Sequence, residues 1–179
     1  HIAEDGREQT VFEHLAAEFS RPFGGEAQGL LAGTAHDIGK YSAAFQRRLT
    51  GDSRRVDHAT AGAFECMGRG QPFAAFAVAG HGGGRGDGPE AATFWGRIKR
   101  AGRGGLEPYG AWAREVSLPG GQPPPFAKQN PGAGMFFIRM LYSCLVAADF
   151  LDTEDFMSGK PRGSCSGCWK KKAPSIRPL

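Results

Sequence analysis

Apolar residues recur at close to helical spacing along most of this chain. In TVFEHLAAEF the apolar positions are Val11, Phe12, Leu15, Ala16 and Phe19, a period near 3.6 that predicts a helix ended by Pro22. A second helix is expected from about Glu26 to Ile38, where alanines and glycines permit close approach to a neighbour despite the low helix propensity of glycine. YSAAFQRRL predicts a short helix packing through Ala44, Phe45 and Leu49, and TGDSRR a loop. DHATAGAFECM reads as a helix capped by Asp57 with His58 in its first turn. QPFAAFAVAGH is apolar enough to be buried and ends at His81, before GGGRGDGP. PEAATFWGRIKRAG and EPYGAWAREV read as moderate helices, and residues 117–133 as a loop or lid-like excursion rich in glycine and proline. The strongest pattern is GMFFIRMLYSCLVAADFLDTEDF, which sets Phe137, Leu141, Leu145 and Ala148 on one face with Asp149 beside it. No alternating series competes, so the expected fold is all-α.

Composition refines this picture. A chain of 179 residues, 40% apolar and 22% charged, has the make-up of one globular domain with a sizeable core. Its 28 glycines and 12 prolines predict long connections. The opening HIAEDGREQTV lacks the basic and apolar regions of a secretory signal, and no run of eighteen apolar residues occurs. A cytoplasmic protein with no membrane partner is the expectation. Cys66 and Cys144 read as buried small hydrophobes; Cys165 and Cys168 have the spacing of half a zinc knuckle without a second pair. The net charge of +4 is concentrated after residue 159, where Lys and Arg occur without any acid. The expected division is therefore a folded body, 1–157, and a basic tail, 158–179. A second basic cluster, RIKRAGR, offers Arg97, Lys99 and Arg100 to a polyanion, with Arg85 in the glycine-rich segment before it.

The chemistry lies in the histidines. His36, His58 and His81 each fall at an expected element end, where side chains converge on clefts, and His14 lies on the edge of the first helix. Asp37 follows His36 directly, and Asp149 adjoins an apolar helix face, where a carboxylate is costly unless it is paired or bound to a cation. Imidazole and carboxylate together suit divalent metals such as Mn, Fe, Co, Ni or Zn. These residues alone point to a metal-dependent hydrolase.

The order of HLAAEF, AGTAHDIGKYSAAFQRRL, DHATAGA, AGHGGG and SCLVAADFLDTE resembles the HD phosphohydrolase superfamily, named for the pair seen here as His36 and Asp37. Within it the chain most resembles the HD nuclease domain of the CRISPR-associated helicase-nuclease of type I interference. The resemblance runs from His14 to Glu154. It implies a compact helical endonuclease that cuts single-stranded DNA with one or two divalent transition-metal ions, Mn, Ni, Co or Fe foremost, with Mg or Zn as further candidates. It also implies two partners, a superfamily 2 helicase and an RNA-guided interference complex. The motor is not encoded here, since no GxxxxGK[ST] stretch occurs.

Carried over residue by residue, the resemblance has His14, His36, Asp37 and Asp149 hold one ion, with Asp37 bridging to a second held by His58 and His81. It puts Lys40 near the scissile phosphate, beside His36 and Asp37 as the catalytic group, and leaves Asp57 and Thr60 to orient His58 or shape the phosphate entrance. Two positions depart from the family pattern: Gly82 stands where an adjacent histidine is common, and Ala147 where an aspartate is. The alternatives are a phosphohydrolase of small or cyclic nucleotides on the same metal framework, and a non-catalytic module that recruits a helicase or an RNA-guided complex.

Overall fold

The computed structural model describes residues 12–49, 51, 56–81 and 93–158, and side chains within those ranges from Leu15 to Glu154. The described residues form seven α-helices and no strand: α1 (Phe12–Ser20), α2 (Glu26–Ala35), α3 (Ala43–Leu49), α4 (Ala59–Gly68), α5 (Pro72–His81), α6 (Phe94–Gly102) and α7 (Pro131–Ser158). The fold is all-α.

Local chemistry sets the element ends. Pro22 closes α1 into a 3-10 turn, and Gly24, at φ +72°, reverses the chain into α2. Beside the apolar contacts of the core, buried Gln28 joins α2 to α5: its Nε2 donates to Gln71 Oε1 and Gly121 O, both at 2.8 Å, and its Oε1 accepts from Ala74 N at 3.1 Å. That last bond satisfies an amide in the first turn of α5, which has no partner within the helix.

The core is assembled from small side chains on α2, α4 and α5 and large ones on α7. Phe137, Leu141, Leu145 and Ala148 are all fully buried, as their spacing predicts. Each large one contributes about 1.5–3 kcal/mol by leaving water. α7 packs on α1, α2 and α5, and α4 packs on α2, α5 and α6, so α2 and α5 lie between the other helices. By length and composition alone, Pro131–Glu154 is apolar enough to cross a membrane; its stripe of Phe137, Leu141, Leu145 and Ala148 lies in the core, whereas Met135, Phe136, Tyr142, Val146 and Phe150 are exposed.

Four sequence expectations change. α2 stops at Ala35 rather than Ile38: the backbone leaves the helix at Asp37 (φ −101°, ψ 3°), and the 3-10 turn Ile38–Tyr41 carries Ile38 into the core. Leu49 is 62% exposed, so α3 packs through Phe45 alone among its bulky residues. EPYGAWAREV yields only the 3-10 segment Gly110–Arg114, because Pro108 and Gly110 disfavour a helix and Trp112 is the only residue of the segment that is buried. Cys144 is half-buried, in contrast with fully buried Cys66. The proposed tail falls outside the described residues, apart from Ser158 at the end of α7.

Candidate metal centre

The element ends do converge. His36 is the C-cap of α2, His58 the N-cap of α4 and His81 the last residue of α5, while Asp149 projects from α7. Two glycines determine how closely the elements meet. A Cβ at Gly39 would overlap the His58 carbonyl, and one at Gly62 would overlap the Ala35 carbonyl. The glycine of the HDIGK stretch therefore serves close packing: it lets the HD turn lie against the backbone of His58.

Two groups of potential ligands result. Donor atoms of His36, His81 and Asp149 lie within 4.8 Å of one another, as do those of Asp37, His58 and His81. His81 belongs to both. The ring centroids of His36 and His81 are 5.1 Å apart and those of His58 and His81 are 6.3 Å apart, both pairs edge to face. His81 Nε2 is 3.3 Å from Asp149 Oδ2. Five of the six expected ligands are thus gathered. The sixth, His14, has its backbone in α1 and its side chain outside the described residues.

Hydrogen bonding prepares one ring for a ligand role. His36 Nδ1 is 2.6 Å from Gly33 O; since a carbonyl only accepts, Nδ1 carries a proton and directs Nε2 towards Asp37 Oδ2, 3.1 Å away. A ligand histidine is commonly oriented in this way by a bond to its other nitrogen. Asp37 Oδ2 also pairs with Lys40 Nζ at 2.5 Å. Asp37 Oδ1, His58 Nδ1 and His81 Nδ1 are buried and have no hydrogen-bond partner. Each orphaned polar atom is costly in a protein interior, and all three belong to residues of the second donor group, whose imidazoles and carboxylate suit a divalent cation.

Protonation favours the same reading. Burial pushes the Asp37 carboxyl up, but His36 and Lys40 outweigh it and hold the group well below the usual carboxylate range. Burial lowers His58, against the attraction of Asp37. Burial and then His36 lower His81, against Asp149 and Asp37. At neutral pH the cluster therefore offers an anionic Asp37 carboxylate and neutral His58 and His81 imidazoles, the forms that bind metal.

The basic cluster divides between two surfaces. Lys99 is exposed. Arg97 is only 7% exposed, and internal acceptors occupy its guanidinium, which corrects the reading of it as a surface cation. Arg100 is partly buried and bonds Asp57 Oδ2 at 3.2 Å. Its spacing held the signal: Phe94, Arg97, Ile98 and Ala101 follow the i, i+3, i+4, i+7 pattern of one helix face. Arg85 lies outside the described residues, as do Gly82, Cys165 and Cys168. No family model, no curated protein and no solved structure matches the chain.

Proposed function

We propose that this protein is a metal-dependent phosphodiester hydrolase acting on single-stranded DNA, an endonuclease of the HD type its motifs resemble. The observation that carries the proposal is the pair of donor groups sharing His81, with Asp37 Oδ1 and the Nδ1 atoms of His58 and His81 buried and unpartnered. His36, Asp37, His58, His81 and Asp149 would hold one or two divalent ions, with His14 as the further ligand that the resemblance assigns. Bound there, such ions supply a Lewis acid for the phosphoryl oxygens and a means of forming hydroxide at neutral pH.

The chain's own groups do the rest. The bond from His36 Nδ1 to Gly33 O fixes the tautomer in which Nε2 is a donor to metal. Lys40 keeps an ammonium beside Asp37, where it can pass from the carboxylate to a phosphate oxygen as substrate arrives. Asp149, with 38% of its side chain exposed, is the solvent-facing edge of an otherwise largely buried cluster, and a phosphodiester would approach from that side. Action with a superfamily 2 helicase and an RNA-guided complex in the cytoplasm is part of the same proposal and rests on the resemblance.

The test is cleavage of circular single-stranded DNA by metal-stripped protein reloaded separately with Mn, Ni, Co, Fe, Zn or Mg. Metal-dependent linearisation that disappears in Asp37→Ala is expected. Folded, metal-loaded protein that cuts with none of these ions would overturn the proposal and favour a recruitment role.

A further inference from the structure

His58 and His81 lack the orientation seen at His36, since their Nδ1 atoms meet no acceptor. Their rings are held by Phe45, edge to face with His58 at 5.4 Å, by Asp149, 3.3 Å from His81 Nε2, and by the backbones that carry them, the N-terminal end of α4 and the C-terminal end of α5. One side chain joins these two ends. From α6, Arg97 Nε donates to Thr60 Oγ1 at 2.7 Å, Nη1 to Ala79 O at 2.7 Å and Nη2 to Asp57 Oδ1 at 3.1 Å. Asp57 in turn accepts from Thr60 N at 3.1 Å and from Thr60 Oγ1 at 2.5 Å.

Each bond satisfies a helix-end group. Thr60 N lies in the first turn of α4 and Ala79 O in the last turn of α5, where backbone groups have no partner within the helix. The charges also match the helix dipoles, with carboxylate at the N-terminus and guanidinium at the C-terminus. Asp57 precedes His58 by one residue, and Ala79 precedes His81 by two. The Asp57–Arg97 ion pair therefore ties one histidine-bearing end to the other through groups close to both rings.

We propose that Arg97 is a positioning residue for the metal centre: its guanidinium fixes the spacing of His58 and His81 and so the affinity of the second ligand group. The inference rests on the metal-centre reading above. Three bonds in three directions require the planar fork of arginine, which the single ammonium of lysine does not reproduce.

The experiment compares wild type with Arg97→Lys, Arg97→Met and Thr60→Val, the last removing only the Nε acceptor and the Thr60 hydroxyl bond to Asp57. Folding is checked by circular dichroism, Mn2+ binding is measured by calorimetry, and the histidine ring carbon and proton resonances are recorded without metal. In the Arg97 variants the His58 and His81 resonances move more than those of His36, which feels the change only through its edge contact with His81, and Mn2+ affinity falls about 10–100-fold. Thr60→Val moves the same resonances by less, and it decides the matter if the Arg97 variants fail to fold. Unchanged His58 and His81 resonances in a folded variant would overturn the inference, as would affinity restored to wild type by lysine. If wild type binds Mn2+ without cutting DNA, the nuclease proposal fails while affinity and resonances still test Arg97. If wild type binds no Mn2+, the metal reading fails and the inference falls with it.

Discussion

The two sides of the histidine cluster are held by different means. At the HD turn, order is local: Gly33 O, His36, Asp37 and Lys40 lie within eight consecutive residues and bond one another directly. At the opposite side, His58 and His81 belong to separate helices, whose ends meet through the close approach of Gly39 to the His58 backbone and the bonds of Arg97 to Asp57 and Ala79 O. A local arrangement survives small movements of the fold, because its members move together. A convergent one depends on every element that frames it. Changes within the HD turn should therefore abolish chemistry at little cost to folding, whereas changes at its frame should disturb stability and affinity together.

The largest effect is expected inside the turn. Asp37 is the anionic member of its donor group, so Asp37→Ala should reduce cleavage to the level of metal-free protein and weaken metal binding. Relief of the orphaned Asp37 oxygen offsets part of the lost pairing with His36 and Lys40, so the melting temperature of the metal-free protein should fall, but by less than in Gly39→Ala. A large fall in that temperature would show that the turn is part of the frame and erase the distinction.

Gly39→Ala probes the seam between the two sides. The new methyl would overlap the His58 carbonyl, so either the turn or the start of α4 must shift. Overpacking of this kind costs about 1–3 kcal/mol, read as a lower urea midpoint, and metal affinity should fall with it. A variant as stable as wild type, with unchanged affinity, would show that the seam yields freely and that ligand spacing is set elsewhere.

Acid should separate the sides by a smaller amount. His58 and His81 have lowered values in the folded protein, whereas in the unfolded chain both titrate near about 6.5. Between these limits the unfolded chain binds more protons, so stability rises with pH. The contribution is complete above about pH 6.5 and declines as pH falls from there towards the folded values. Urea midpoints of the metal-free protein should drop from neutral to mildly acidic pH, and His58→Gln should flatten the drop. Equal slopes in wild type and variant would remove His58 from the account.

How much of this was legible in the sequence follows the same division. Short-range periodicity located α7 and its buried stripe of Phe137, Leu141, Leu145 and Ala148, because a helix repeats one local rule. It also placed three histidines at element ends. It did not bring Gly39 to His58, since that contact joins residues whose relation exists only after α2 and α4 have packed. EPYGAWAREV shows the opposite case: Pro108 and Gly110 are local signals against a helix, and they outweigh its scattered apolar residues. In RIKRAGR the positions of the charges matter more than their sum. Helical spacing puts Arg97 on the apolar face with Phe94 and Ala101, and Lys99 on the other.

That split within α6 gives the smallest and most selective effect. Lys99 is exposed, in contrast with Arg97, whose guanidinium is spent on helix ends. If single-stranded DNA reaches the cluster along this helix, Lys99→Ala should weaken binding without preference for sequence and reduce the slope of log affinity against log salt by about 1. Stability should change by no more than about 0.5 kcal/mol, as for other surface substitutions, and Mn2+ affinity should not change at all. An unaltered salt slope would take the outer face of α6 off the path of the DNA. The outward lysine would then be solvated surface, and the helix would matter to the site only through the arginine on its buried side.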